Sequence, residues 1–247
     1  MTTQEFSDQF DTLLNSYSIV PQFGDEVSKQ EITLNEYEKS LHLTRAEKEF
    51  VIDFYTGKNT FGYSFEEKEI IRQAIDALVT TVKLQETTAP EGQEHLEQGN
   101  HIFTFFTIPN NLLYTVFEEV KISSYISNCN KGGNVLVVPT THDELWHRLH
   151  NPFRGTSRTR VLRLNAADNL VELVSDYPIG SYLLRYVEEP KPIILIDLPD
   201  GLSIDGISQR TECKLPDITH HMILDIAVRF ALQSKVIGAS TSSKGKD

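Results

Sequence analysis

The most constraining feature of the sequence is a stretch near its end, residues 181–231, where two short apolar runs precede a long amphipathic pattern. The first run, residues 182–187, is rich in aromatic and aliphatic side chains. The second, residues 193–196, is wholly apolar and follows a proline, which is typical of a buried strand rather than a helix. The two runs pair as a hairpin, or Pro190 and Pro192 bend one of them out of the sheet.

The amphipathic pattern that follows predicts a helix. Pro216 suits its first turn, and apolar residues then recur at helical spacing. They are Ile218, Met222, Ile226 and Phe230, and the face is widened by Ile223, Ala227 and Leu232. We therefore predict that this helix and the preceding strands form the core of the second half of the chain.

The first half of the chain shows helical patterns. Thr44 with Glu47, and Ser64 with Glu67, match the capping-box pattern and predict two helix starts. Gly57 stands where the first of these helices would end. The short connection between them predicts an antiparallel pair of helices.

After residue 100 the apolar period changes to that of strands, which are predicted at residues 101–108, within 112–126, and at 135–138, 160–164 and 170–174. The order of the elements indicates an α+β fold, with a helical N-terminal region followed by a β-rich domain closed by a C-terminal helix. The predicted division is a helical region at 1–84, a linker at 85–100, the β-rich domain with its helix at 101–235, and a flexible tail at 236–247.

The net charge of −12 is unevenly spread: residues 1–100 sum to −11 and residues 101–247 to −1. An acidic chain argues against general nucleic-acid binding, which needs basic groups to neutralise phosphates. It is compatible with solubility alone, and equally with a surface past which DNA moves without binding.

No apolar run approaches the ~20 residues that a membrane-spanning helix needs, and the N-terminus lacks the pattern of a signal peptide. We therefore expect a protein that is made and kept inside a cell, or assembled there, without a membrane partner. Cys129 and Cys213 are far apart and lack metal-site spacing, so we expect buried free thiols.

No catalytic residue, metal site or cofactor is predicted. The sequence has no G-x-S-x-G motif, no P-loop and no dinucleotide-binding glycine pattern. His147 and His150 share a helical face near His142, but a set of three or four metal ligands is not recognisable. His220 and His221 are neighbours on a helix and point in different directions, so they are poor co-ligands.

The most specific surface feature is a local reversal of charge. Residues 145–167 contain no acidic residue and hold Arg148, Arg154, Arg158, Arg160 and Arg163. Arginine suits bidentate contact with carboxylates and phosphates. These guanidinium groups either pair with the protein's own acidic surface or contact a neighbouring subunit, another partner or a DNA backbone.

A structured turn is predicted inside this arginine segment, at Asn151, Pro152, Phe153, Arg154 and Gly155. Pro152 fixes one φ angle, and Gly155 permits a positive φ. The turn would hold the neighbouring side chains in a defined direction.

Four segments together resemble a known family. They are LNEYEKSLHLTRAEKEFVIDFY at 34–55, SFEEKEIIRQAIDAL at 64–78, NPFRG and RVLRL within 151–164, and SYLLRYVEEPKPIILIDLP through ILDIAV within 181–228. In this order they resemble the structural proteins of crAss-like tailed bacteriophages of Bacteroidales that form a neck ring or head–tail adaptor.

The resemblance implies a non-enzymatic virion protein, a ring subunit that docks below the portal, usually in twelve copies, and forms part of the DNA channel. Its partners would be further copies, the portal protein and other neck and tail ring proteins, with assembly in the cytoplasm of the host bacterium. A closed ring with heterologous contacts needs two different patches on each subunit. The acidic residues of 1–100 and the arginines of 148–163 are a candidate pair.

Two other classes stay open from the residues alone. A small phage hydrolase would need a deep pocket with perturbed titratable groups. A phage-encoded accessory protein would bind a partner or DNA, and DNA binding would need a continuous basic face and would depend on salt.

Overall fold

The computed structural model describes residues 1–17, 33–89, 101–122, 133–166, 169–199 and 201–242. The chain forms two compact units. The helical unit consists of Met1–Leu78 together with Pro190–Asp247, and the sheet unit consists of Val79–Glu189. The mixture of helices with one large sheet confirms the α+β class.

The described residues form the helices α1 (Thr3–Tyr17), α2 (Glu36–Thr56), α3 (Glu69–Ile75), α4 (His142–Leu149) and α5 (Asp217–Ser242), with a 3-10 turn at Asp76–Leu78. They form the strands β1 (Val79–Leu84), β2 (Glu86–Thr87), β3 (Ile102–Thr107), β4 (Leu112–Ile122), β5 (Asn134–Pro139), β6 (Arg160–Asn165), β7 (Leu170–Ser175) and β8 (Ile179–Glu188). The five strands predicted between residues 101 and 174 are thereby confirmed.

Helix α2 begins eight residues before the predicted capping pair. The Asn35 side chain accepts from the Glu38 backbone N–H at 2.8 Å, and the Glu38 carboxylate accepts from the Asn35 N–H at 3.0 Å. This reciprocal pair is the true capping box, so the start predicted at Thr44 was wrong, and Thr44 is buried within the helix. The predicted helix end is confirmed, because Gly57 has a φ of 82°.

The second predicted capping pair forms only half of its bonds. The Ser64 N–H donates to the Glu67 carboxylate at 2.7 Å, yet α3 begins two residues later, at Glu69, and ends at Ile75. The predicted helix is therefore shorter than expected. The chain becomes strand β1 from Val79, where a β-branched run favours the extended backbone.

Helix α5 belongs to the helical unit and packs against α2 and α1. This corrects the predicted boundaries, which placed it as the closing element of the β-rich domain. The predicted apolar face is also rotated, because Ile218 is 82% exposed. The buried face consists of Thr219, His220, Ile223, Leu224, Ala227, Val228, Phe230 and Ala231. A sequence period defines a stripe on a helix, whereas the partner decides which stripe is buried.

The first three residues of the apolar run after Pro192 are buried, and Ile196 is exposed. The run is not a strand of the sheet, so the predicted hairpin was wrong. The Ile193 N–H donates to the Thr44 hydroxyl at 3.1 Å, and the Leu195 N–H donates to the Ser40 hydroxyl at 3.1 Å. Hydroxyls on α2 thus satisfy backbone donors that a neighbouring strand would otherwise satisfy. The alternative, in which prolines lead this run out of the sheet, is confirmed.

The sheet has the strand order β1-β8-β4-β5-β6-β7-β3-β2, with only β5 and β6 parallel. Strands β1 and β2 lie at opposite edges, although only Gln85 separates them in the chain. The rings of Phe106 on β3 and Tyr182 on β8 are 5.2 Å apart, whereas five strand spacings in a flat sheet would be about 24 Å. The sheet therefore curls until its edges approach each other.

The concave interior of the sheet holds one apolar cluster with side chains from β1 and from β3 to β8. It also holds one buried polar network. Arg163 Nη1 lies 3.0 Å from the Glu118 carboxylate, and the Tyr182 hydroxyl donates to the same carboxylate. Burial, followed by the Glu118 charge, raises the pKa of Tyr182 well above its usual value. The tyrosine therefore stays protonated as a donor.

Three further predictions concern the C-terminal tail, the linker and the absence of a membrane-spanning helix. The predicted tail at 236–247 is partly helical, because α5 continues to Ser242 through a stretch that contains no proline. The predicted linker at 85–100 contains β2, and residues 90–100 lie outside the described residues, as does Cys129. Among the described residues, no helix has the length and apolarity that crossing a membrane requires.

Among the described residues of the helical unit, one carboxyl group is buried, that of Glu47 on α2. The Cys213 thiol donates to Glu47 Oε1 at 3.2 Å, while Oε2 has no hydrogen-bond partner in the part of the chain that the structure describes. Burial raises the pKa of Glu47 from 4.5 to about 7, against a lowering by Cys213 and Lys48. Burial also raises the pKa of Cys213, which is a free thiol but only partly buried, in contrast to the prediction.

This raised pKa predicts that stability falls as pH rises from about 4.5 through 7, because the folded state holds the proton more tightly than the unfolded chain. The loss is on the order of 3 kcal/mol. We expect Glu47→Gln to remove most of this dependence and to unfold at higher urea than wild type at pH 8. Urea unfolding at pH 5 and pH 8, with Glu49→Gln on the same helix as control, measures it. A wild type whose stability does not change across this range would contradict the assignment.

Candidate functional site

The predicted arginine segment begins in the crossover between the parallel strands β5 and β6 and continues through β6, which holds Arg160 and Arg163. Helix α4 packs through Leu145 against Leu162, Leu164 and Val174 on the outer face of the sheet. Its next residue, Trp146, is exposed. The chain then turns back through residues 150–159 to enter β6, so the crossover displays this turn at the surface of the sheet unit.

The predicted turn at 151–155 exists and is held by its own backbone. The Asn151 side-chain oxygen accepts from the Phe153 N–H at 2.9 Å, and its carbonyl accepts from the N–H groups of Arg154 and Gly155 at 3.1 and 2.8 Å. This is the local geometry that asparagine favours. As a result the Phe153 side chain is 85% exposed on a well-defined turn, with Pro152 exposed beside it.

Gly155 is needed for a different reason from the one predicted. Its φ is not positive, so no left-handed backbone has to be accommodated. A Cβ at this position would lie 2.9 Å from the Arg148 carbonyl oxygen and 3.1 Å from that of Asn151. The residue is glycine because the backbone of α4 approaches it closely.

We expect Gly155→Ala to lower the free energy of unfolding by roughly 1–3 kcal/mol, because carbonyl groups on two sides must move to admit the methyl group. Gly133→Ala is the matched control, since a Cβ there meets nothing within 4 Å. Urea unfolding of both variants tests this. Equal effects at the two positions would show that the close approach is not what selects glycine.

Three of the five predicted arginines bind a carboxylate or a backbone carbonyl of the sheet unit. Arg148 pairs with Glu144 on the same helix at 2.7 Å, and Arg163 is the buried partner of Glu118. Arg160 donates through Nη1 to the Phe153 carbonyl at 2.6 Å. Arg148 and Arg163 thus pair with carboxylates of the same chain, as one of the two alternatives expected, whereas Arg160 supports the turn.

The other two arginines, Arg154 and Arg158, are exposed. In the part of the chain that the structure describes, neither forms an ion pair with a carboxylate. Arg158 Nε donates to the Tyr177 hydroxyl at 3.3 Å, a bond that raises the pKa of Arg158. We define the arginine surface as Trp146, Phe153, Arg154 and Arg158. Exposed aromatic rings beside unpaired guanidinium groups are the side chains that most often anchor protein interfaces.

Sequence reasoning missed a second exposed aromatic segment, on the helical unit. The Asn59 side-chain oxygen accepts from the Phe61 N–H at 2.9 Å, as Asn151 does for Phe153. Phe61, Tyr63 and Ile70 are exposed, and the acidic residues Glu66 and Glu69 lie between them in sequence. The signal that marks it is Asn-x-Phe, which both turns share; glycine follows directly in the first turn, at Gly62, and one residue later in the second, at Gly155.

The histidines do not form a metal site in the described ranges, where no group of three or more potential ligands comes together. His142 Nε2 lies 3.2 Å from the Asn165 carbonyl oxygen. His150 Nδ1 lies 2.8 Å from the Trp146 carbonyl oxygen.

A separate polar cluster was also missed from the sequence. The Asp176 carboxylate lies 2.8 Å from His101 Nδ1 and accepts from the Thr156 hydroxyl. The cluster therefore fixes the chain just after the turn at 151–155.

Comparison with known proteins identifies the family. The family model described as phage tail ring protein 3/4 matches residues 1–243. Ring protein 3 of Bacteroides phage crAss001 is 43% identical over 236 residues, covering 95% of this chain and 96% of that protein. Ring protein 4/5 of the same phage is 27% identical over 246 residues, covering 94% and 92%.

The chain therefore belongs to the phage tail ring protein 3/4 family. The resemblance noted from the sequence to crAss-like phage ring proteins is confirmed. This chain is a structural ring protein of a bacteriophage virion.

Proposed function

We propose that this protein is a non-enzymatic head–tail connector subunit, which forms a closed ring below the portal, is stacked with other neck and tail rings, and surrounds part of the DNA channel. The ring has twelve copies. It assembles in the cytoplasm of the host bacterium and needs no cofactor, metal or membrane.

The observation that carries this proposal is the arginine surface. Phe153 is 85% exposed on a turn that three backbone or side-chain hydrogen bonds hold. Arg154 and Arg158, in the same segment of the chain, are exposed and have no carboxylate partner among the described residues. Exposure of a large apolar ring to water is unfavourable in an isolated subunit, and burial of the ring in a contact removes this unfavourable free energy. Arg148, Arg160 and Arg163 then position the surface from behind rather than making the contact.

Charge supports passage of DNA rather than its capture. The chain carries a net charge of −12, and four of the five arginines in the basic segment contact groups of the same chain. A channel wall rich in carboxylates repels phosphates, so DNA moves along it without a sequence-specific contact.

Solution mass tests the proposal. Size-exclusion chromatography with light scattering is run on the protein alone, on the portal protein of the same phage, and on their mixture. We expect a discrete oligomer, or co-migration with the portal at a fixed ratio. A 28.1 kDa monomer that neither self-associates nor joins the portal at micromolar concentrations would contradict it.

A further inference from the structure

We infer that the arginine surface of one subunit binds a second copy of this chain, at an acidic surface on the helical unit made of Phe61, Tyr63, Glu66, Glu69 and Ile70. The inference rests on the proposed ring and names the contact that closes it. It commits to the next subunit, and not to the portal or DNA, as the occupant of the arginine surface.

The acidic surface, like the arginine surface, includes a turn that is held by hydrogen bonds of an asparagine. Asn59 accepts from the Phe61 N–H at 2.9 Å and donates from its amide to the Tyr63 carbonyl at 2.8 Å. Phe65 is buried behind it and stacks on Tyr55, with ring centroids 5.5 Å apart. Two surfaces that are already ordered lose little conformational entropy when they associate.

The charges of the acidic surface are available for a partner. In the described residues, neither Glu66 nor Glu69 pairs with a lysine or arginine. Lys68 Nζ lies 4.7 Å from the centroid of the Tyr63 ring, and Arg72 donates to the Glu66 backbone carbonyl rather than to its carboxylate. Glu69 Oε1 accepts from the Gln73 amide at 3.4 Å. Two exposed carboxylates without a cationic partner among the described residues therefore lie close in sequence to the exposed side chains of Phe61, Tyr63 and Ile70.

The two surfaces are complementary in kind as well as in sign. Each displays a phenylalanine on an asparagine-stabilised turn, and each holds two unpaired charges, positive at Arg154 and Arg158 and negative at Glu66 and Glu69. DNA phosphates would complement the arginines but would leave the acidic surface unexplained. Two different complementary patches on one chain are what a heterologous, closing contact requires.

A charge-swap experiment tests the contact on the full chain, or on the portal complex if wild type forms its ring only there. One variant carries Arg154→Glu and Arg158→Glu, and a second carries Glu66→Arg and Glu69→Arg. Each alone would place like charges at every contact and lower subunit association by roughly a hundredfold or more. A 1:1 mixture would restore opposite charges at every contact, in a ring whose two variants alternate.

Lys191→Glu with Arg229→Glu is the matched control, since both residues are exposed on the helical unit outside the acidic surface. Circular dichroism melting confirms that each variant is folded. We expect rings from wild type, from the control and from the mixture, and none from either swapped variant alone.

Three results would overturn the inference in distinguishable ways. If the swapped variants form wild-type rings, the proposed function stands and this contact is wrong. If both lose the ring but the mixture does not regain it, the surfaces act separately and do not meet. If wild type forms no ring, alone or with the portal, the proposed function fails together with the contact.

Discussion

We expect the Phe153→Ala variant to fold normally and to lose ring assembly. The side chain is 85% exposed in the subunit, so alanine removes almost no internal packing. An aromatic anchor at the centre of an interface typically contributes about 2–4 kcal/mol. This corresponds to about 30-fold to 1,000-fold in the association constant, measured by light scattering across a dilution series.

The matched control is Ile218→Ala, because Ile218 is 82% exposed and lies at the start of α5, outside both surfaces. We expect it to assemble as wild type does. Assembly of Phe153→Ala at the wild-type concentration would show that the turn faces solvent in the ring as well. In that case the arginine surface would not be a contact.

The second large effect concerns the buried pair inside the curled sheet. We expect Arg163→Met to lower the free energy of unfolding by about 3–5 kcal/mol, because it leaves a buried carboxylate with no cation. Only 7% of the Glu118 side chain and 14% of the Arg163 side chain are exposed. Urea unfolding of the whole chain, followed by circular dichroism, measures the loss.

The double variant Glu118→Gln with Arg163→Met is the control for this pair. Its amide oxygen can still accept from the Tyr182 hydroxyl, and no charge remains buried. We therefore expect it to regain most of the stability. A single variant that loses less than about 1 kcal/mol would mean that water reaches Glu118 and that the pair is not needed.

The order of elements was predictable because the change from a helical to a strand period is local to the sequence. It gave the α+β class and the strands β3 to β7. The position of α5 was not predictable in the same way. Its apolar face suits a helical or a sheet partner. The chain returns to the helical unit after Pro190 and Pro192, where the hydroxyls of Ser40 and Thr44 on α2 accept hydrogen bonds from its backbone.

The candidate surface was partly predictable. A run of arginines without acidic residues marked the segment, but the sequence did not distinguish Arg163, which is buried against a glutamate about 45 residues away in the chain, from Arg154, which is exposed. Such pairing depends on strand register in three dimensions. The acidic surface was missed because its glutamates are common helix-start residues, and their exposure beside Phe61 becomes visible only in the folded unit.

The most direct test of the account is imaging of the wild-type assembly by electron microscopy, on the protein alone and on its complex with the portal. We predict closed rings with a central opening and rotational symmetry, in which the arginine surface of each subunit meets the acidic surface of the next. Particles without rotational symmetry, or rings whose arginine surfaces all face solvent, would contradict the account.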